Sequence, residues 1–310
     1  MFRCGNYFPS PNLAPRRPIS YPRPPLPERL VKVIGSISAA RRHLRSVNRP
    51  IVLVPTMGAL HQGHAALLDR ARSLAGPQGT VVASIFVNPT QFGPKEDFSR
   101  YPRPFAADGR LCAAHGVDVI FHPTGSRMYP DGFSTFAEES VVSSRLCGAS
   151  RPGHFRGVCT VVLKLFQIVQ PQAAVFGLKD FQQCAVIGRM VRDLNLPVRI
   201  VAVETVRELD GLALSSRNQF LTAEERRQAP ILRAALLAAR DAWKGGESSA
   251  ARLRRLIVQR VGRAPLARID YVEIADDHTL QPLRQAGDQT VIALAVFFGK
   301  TRLIDNIRLR

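Results

Sequence analysis

Five short apolar runs, at residues 51–54, 80–87, 117–121, 173–176 and 198–203, are each separated from the next by a stretch of helical length and period. Strands covered on both faces read as unbroken β-branched runs, and parallel strands need helical crossovers between them. The pattern therefore predicts an α/β fold: a doubly wound, Rossmann-like parallel sheet. Sheets of this kind bind ligands at the carboxyl ends of their strands. The chemically interesting loops of this chain all follow strands.

Past Glu204 the texture changes. Thr222 and Glu225 are spaced as a capping box, which predicts a long amphipathic helix from there to Trp243, broken by Gly245-Gly246. A second helix is expected over 248–261. Strands are expected over 268–274, 290–297 and 301–309, paired antiparallel. We place a boundary at 204/205, giving a nucleotide-binding domain over 30–204 and a smaller C-terminal α+β lid domain over 205–310. Residues 1–29 are dense in Pro and Arg and show neither helical nor strand period. A segment that cannot bury enough surface to offset its ordering entropy is expected to be disordered. With no apolar core it does not read as a secretory signal, and its prolines do not suit a transit helix. We read it as an over-long gene start or a plain tail.

Lys and Arg number 43 against 24 Asp and Glu, a net charge of +19. Such an excess raises the question of nucleic acid. The basic residues are scattered through helical segments, however, and aromatics make up only 7%. Compositional drift together with attraction for a small polyanionic substrate is the preferred reading, and no nucleic-acid partner is expected. Cys4, Cys112, Cys147, Cys159 and Cys184 form no CxxC pair, so a disulfide framework or zinc site is not expected and a reducing, cytoplasmic compartment is. No apolar run reaches the length of a membrane span.

The first chemical constellation is Pro55-Thr56-Met57-Gly58-Ala59-Leu60-His61-Gln62-Gly63-His64, a strand end, a glycine-permitted turn and a helix start. Gly58 and Gly63 allow positive φ or a close backbone approach. Free amides and the dipole at a helix start favour phosphate. Two imidazoles there can hydrogen-bond a polyphosphate or donate a proton; alternatively, one caps the helix and the other packs in the core. Gly177-Leu178-Lys179-Asp180 again joins a strand to a helix, with a lysine for phosphates and an aspartate suited to ribose hydroxyls. Here the competing reading is a helix cap beside a solvated lysine. Leu214-Ser215-Ser216-Arg217 offers two hydroxyls and a guanidinium fork, or a plain surface turn.

His61-x-Gly63-His64 after a strand is similar to the signature of nucleotidylyltransferases and class I aminoacyl-tRNA synthetases. The longer block VPTMGALHQGH is more specific. With residues 84–92, Tyr101-Pro102-Arg103, residues 151–157, 177–183, 210–217 and 302–306, it resembles the pantothenate synthetase family over nearly everything from Leu30 onward. That resemblance implies ATP-dependent joining of (R)-pantoate and β-alanine through a pantoyl adenylate, with Mg2+, in a homodimer. It implies ATP contacts over residues 57–64 (Met57, Gly58, Ala59, Leu60, His61, Gln62, Gly63, His64) and at Gly177, Leu178, Lys179, Asp180, Val206, Leu214, Ser215, Ser216 and Arg217. It implies catalytic parts for His61, His64, Lys179 and Arg217, with His64 matching the position designated proton donor. Gln91 and Gln183 match pantoate contacts, Gln91 also lying near β-alanine. Asp108 falls where the family keeps an acid that approaches the metal; no protein metal ligand is assigned. Arg151 and His154 either edge the site or cap the following helix. The chain departs from the family in having Leu178 in place of Glu, Leu214 in place of Met, and Ala107 in place of an acid. Another nucleotidylyltransferase of this type would leave Gln91, Gln183 and the C-terminal part unexplained.

Overall fold

The computed structural model describes residues 30–310 except Lys95 and Asp97. The tail expected over 1–29, with Cys4, lies outside the described residues. Along the chain run β1 (Lys32–Ile34), α1 (Ile37–Arg45), β2 (Ile51–Thr56), α2 (Gln62–Ala75), β3 (Thr80–Ile85), α3 (Phe105–Ala114), β4 (Val119–Phe121) and the short α4 (Gly125–Met128) and α5 (Cys147–Ser150). Then come α6 (His154–Val169), β5 (Ala173–Gly177), α7 (Phe181–Asp193) and β6 (Arg199–Val203). The remainder comprises α8 (Ala223–Gln228), α9 (Ile231–Lys244), α10 (Ala250–Val261), β7 (Ala267–Asp276), β8 (Thr290–Phe298) and β9 (Thr301–Leu309).

Six strands form one sheet in the order β1-β4-β3-β2-β5-β6, and every pairing in it is parallel. Alternate residues of a strand face opposite sides, and the core divides accordingly. Ile51 and Leu53 of β2 join the cluster under α6 and α7. Val52 and Val54 join the cluster under α2 and α3. Helices thus cover both faces, which is why these strands read as continuous apolar runs. From β2 the chain winds outward to β3 and β4, and from β5 it winds the other way to β6. The direction therefore switches between β2 and β5, which pair as Val52↔Ala173 and Leu53↔Ala174. The crevice at that switch is where a ligand has room between diverging loops.

The second sheet is antiparallel, β7-β8-β9. Ile292, Leu294 and Val296 of β8 pack with α9 and α10, while Val291 and Ala293 turn to the core of the larger sheet. One structural difference from expectation stands out. The Thr222/Glu225 capping box forms, but its helix stops at Gln228 instead of running to Trp243. Pro230 has no N–H for a helix interior, and it caps a separate helix, α9, instead. The short strand β1 and helix α1 carried no signal strong enough to be assigned. Cys112, Cys147, Cys159 and Cys184 are free and buried.

Candidate active site

Beyond β2, Thr56 turns the chain: its hydroxyl donates to the Ser84 carbonyl (2.7 Å) and accepts the Gly58 amide (3.3 Å). Gly58 takes φ +84° and Ala59 φ +51°. What holds this turn is Asp108, in the first turn of α3 and only 2% exposed. Its two oxygens accept the backbone amides of Ala59 (3.0 Å) and Leu60 (2.8 Å). Burial nonetheless raises its pKa. The carboxylate implied to approach a metal is thus committed to the loop.

His61 then caps α2. Its Nδ1 accepts the Gly63 amide (3.1 Å), and the Nδ1 of His64 accepts the His61 amide (3.3 Å). Each imidazole stands in for a residue of a capping box. A ring nitrogen that accepts carries no proton, so both rings are Nε2–H tautomers. Burial, then the charge of Lys179, pushes His61 down to about 4. Burial, His61 and Lys179 push His64 down to about 3. Both are neutral near pH 7. Capping and ligand contact were alternatives in the sequence; here Nδ1 does the first and leaves Nε2–H for the second. Gly63 is required by the close approach, because a Cβ there would lie 2.8 Å from the His61 ring.

Across the switch, β5 ends at Gly177 and a single 3₁₀ turn, Leu178–Asp180, leads into α7. Leu178 is 6% exposed and packs in the main apolar cluster. Its neighbour faces the cleft: Lys179 Nζ lies 3.7 Å from Asp180 Oδ2. Asp180 sits at the cap position of α7 but makes no side-chain cap bond. The Asn306 amide of β9 donates to the carbonyls of Leu178 (2.9 Å) and Lys179 (3.0 Å).

The third segment is built by a small hairpin turning at Asp210-Gly211. Leu214 N–H donates to the Val206 carbonyl (3.0 Å), and Arg207 pairs with Ala213. Arg226 grips the hairpin through Glu208 and Asp210, each at 2.6 Å. Arg207 holds its base to buried Asp305 with two bonds of 2.7 and 2.8 Å. Ser215 accepts the Arg217 amide (3.2 Å), opening a 3₁₀ turn.

Gln91 ends the turn after β3. The Asn88 side chain donates to its Oε1 (3.1 Å), and its Nε2 lies 3.2 Å from Met57 Sδ. Gly157 of α6 lies directly behind, where a Cβ would meet the Thr90 carbonyl oxygen at 2.3 Å.

These segments meet in one cleft of about 230 Å³ at the switch point. It is lined by Met57, His61, Gly63, His64, Gln91, Gly177, Lys179, Asp180, Gln183, Val206, Leu214, Ser215, Ser216 and Arg217. Of the residues expected at the site, Gly58, Ala59, Leu60, Gln62 and Leu178 do not line it. The first three shape the turn that Asp108 holds, and Leu178 belongs to the core. Arg151 and His154, left open between site edge and helix cap, do line it. A larger cavity of about 590 Å³ adjoins it and shares Arg151, His154, Lys179, Asp180, Gln183, Ser215 and Arg217. Asp108 as the brace of the loop and Asn306 as a tether were missed. Neither carries a local sequence signal, since each acts on backbone far away in the chain.

The arrangement offers two neutral N–H donors at a helix start, a lysine, an arginine with two hydroxyls, and an amide pocket beside them. Converging donors and cations of this kind suit a polyphosphate next to a small polar acid. Comparison with known proteins gives one answer. Residues 29–308 match the family model described as pantoate-beta-alanine ligase. The pantothenate synthetase of Heliobacterium modesticaldum is 52% identical over 279 residues, 90% of this chain and 98% of that protein. The crystal structure of pantothenate synthetase from Thermus thermophilus superposes with a TM-score of 0.85 at 45% identity, covering 90% of this chain and 99% of that one. A Francisella tularensis pantoate-beta-alanine ligase, described as complexed with beta-gamma ATP and beta-alanine, gives 0.73 at 34% identity over 90% and 98%.

Proposed function

The chain belongs to the pantoate-beta-alanine ligase family, and from that premise we propose that it condenses (R)-pantoate with β-alanine at the expense of ATP. The observation that carries the reading is the meeting of the His61/His64 helix start, the Lys179–Asp180 turn and the Ser215–Arg217 loop on one cleft. In the first step the pantoate carboxylate attacks the α-phosphorus of ATP, forming pantoyl adenylate and releasing pyrophosphate. In the second, the β-alanine amine attacks the acyl carbon and AMP leaves with the bonding electron pair. A free carboxylate is a poor acyl donor because its leaving group would be oxide. Esterification to AMP removes that obstacle.

Each segment has a part in this reading. Two anions must meet at phosphorus, so positive charge and fixed donors matter more than a protein nucleophile. Lys179 and Arg217 supply the charge. His61 and His64 are neutral at working pH, so they act through their Nε2–H bonds to phosphate oxygens. A ring with a pKa of about 3 is a poor proton reservoir at pH 7; His64 therefore serves as a hydrogen-bond donor in preference to a proton donor. Gln91 and Gln183 bind pantoate, since an amide can donate to a carboxylate and accept from a hydroxyl. Val206 and Leu214 border the adenosine.

Magnesium arriving with ATP would neutralise part of the phosphate charge. Among the described residues no cluster of three or more His, Cys, Asp or Glu side chains is arranged to hold a metal. With Asp108 bound to backbone, Asp180 and Glu204 are the carboxylates lining the cleft that would remain for water-mediated contact. A homodimer in the cytoplasm completes the proposal; light scattering tests the assembly. No helix among the described residues is long and apolar enough to cross a membrane.

The deciding experiment is pantoate-dependent exchange of labelled pyrophosphate into ATP, followed by product analysis with β-alanine added. Exchange without β-alanine, and AMP with pantothenate on its addition, are expected. Purified protein that makes no AMP with all three reactants overturns the reading.

A further inference from the structure

Behind Gln91 runs a line of charged and polar groups that the reaction itself does not use. Glu96 accepts two bonds from Arg151, at Nε (2.7 Å) and Nη2 (2.6 Å). A two-bond carboxylate–guanidinium contact fixes the plane of the arginine as well as its position. Arg151 Nη1 in turn lies 3.1 Å from His154 Nε2. A guanidinium only donates, so that nitrogen of His154 must be the lone-pair nitrogen, and the ring proton sits on Nδ1. Nδ1–H then donates to the backbone carbonyl of Gln91 at 2.8 Å. Arg151 Nη2 also reaches this carbonyl, at 3.4 Å. Each group along the line is left one role by its neighbour, so the direction of every bond is determined.

The far end of the line is the turn that presents the Gln91 amide. The front of that amide is set by Asn88 and Met57; its backbone is set by His154. Helix α6 starts at His154, and the imidazole of this first residue bonds to the Gln91 carbonyl. Burial and the neighbouring Arg151 keep His154 neutral, with its pKa down at about 4. The one-way bonding therefore persists at ordinary pH.

We propose that Glu96, Arg151 and His154 form a positioning chain that fixes where Gln91 presents its amide to the hydroxy-acid substrate. It acts on that substrate's binding and not on the handling of the ATP phosphates. The proposal rests on the reading of Gln91 as a pantoate contact.

Steady-state kinetics on the full-length protein tests it, with pantoate and ATP varied separately. His154→Leu removes both the donor and the acceptor, and Glu96→Gln removes the charge that fixes Arg151. Each is expected to raise KM for pantoate on the order of tenfold, about what one lost hydrogen bond to a positioned group gives, while KM for ATP stays within about twofold. His154→Asn can donate to Gln91 through Nδ2 and accept from Arg151 through Oδ1, and should recover most of the loss. Equal rises in both KM values, an unchanged pantoate KM, or Asn no better than Leu would overturn the chain. Thermal melting of each variant identifies a loss caused by unfolding, and the Asn-against-Leu contrast stays decisive because both replace the same ring. Wild-type exchange is measured first. If the wild type shows no pantoate-dependent exchange, the functional reading fails; if it does and the variants behave alike, only the chain fails.

Discussion

His64 accepts the backbone amide of His61 on its own Nδ1 at 3.3 Å, with the two ring centroids 4.2 Å apart. Neither ring can take a second proton without losing its bond to the helix start. The same two rings are those whose pKa values are held down, to about 3 and about 4.

The first prediction concerns pH. A histidine whose pKa is lowered in the folded state binds fewer protons there than in the unfolded chain, where it titrates near 6.5. Stability is then fully present above about pH 6.5 and is lost as pH falls towards 4, where the folded rings begin to protonate. His61, His64 and His154 all contribute with this sign. Urea midpoints at pH 8 and pH 5 should differ in favour of pH 8. The difference should shrink in a His64→Gln variant, and a midpoint that rises on acidification contradicts the assignment.

Replacing His64 with Ala removes a cap acceptor and an Nε2–H donor together. Pantoate-dependent exchange should fall by about 10²–10³, the usual loss of an oriented donor at a developing charge. Rapid-quench measurement of adenylate formation checks this, and a burst of normal size and rate rules it out.

Asp108→Ala leaves the amides of Ala59 and Leu60 without their acceptors in a part-buried turn. A cost of about 1–3 kcal/mol is expected for such an orphaned group, read as a lower denaturation midpoint. KM for ATP should rise, because the turn sets the position of His61. Asp108→Asn, which keeps one acceptor oxygen, should fall between the two.

Gly157→Ala would press a Cβ onto the Thr90 carbonyl and the Gln91 Cα, at 2.3 and 2.7 Å in the present positions. Backbone must shift to admit it. The pantoate KM should rise several-fold or more, and calorimetry should show a lower Tm. An unchanged pantoate KM would show that the turn carrying Gln91 yields freely.

Leu178→Ala tests whether this residue belongs to the core or to the ATP site. As a buried core position it should cost about 2–5 kcal/mol, with the KM for ATP of the surviving folded protein little changed. The reverse pattern, normal stability with weakened ATP binding, would return Leu178 to the site.

Much of this was legible in the sequence because the fold repeats one local rule. Val52/Val54 and Ile51/Leu53 alternate on a strand with both faces covered, so the run alone predicted a buried parallel strand and the loop after it. The candidate cleft was legible for a related reason: His61, Lys179 and Arg217, which line it together, each lie just after a strand end or hairpin. Pro230 shows the opposite case. A periodic apolar pattern runs through it, and only the missing N–H divides α8 from α9. Asp108, Asn306 and the Arg151–His154 pair were harder, since their partners lie tens of residues away and their meaning arises only on packing.

Asn306 has a practical consequence. Its amide, on the last strand of the chain, holds two consecutive carbonyls of the turn that carries Lys179. The C-terminal sheet and the turn that carries Lys179 are therefore fastened through this side chain, so a graft of residues 205–310 from a relative would carry the tether of that turn with it. A chimera that keeps an amide at 306 should retain Lys179 in register, and one that substitutes an aliphatic residue there should release it.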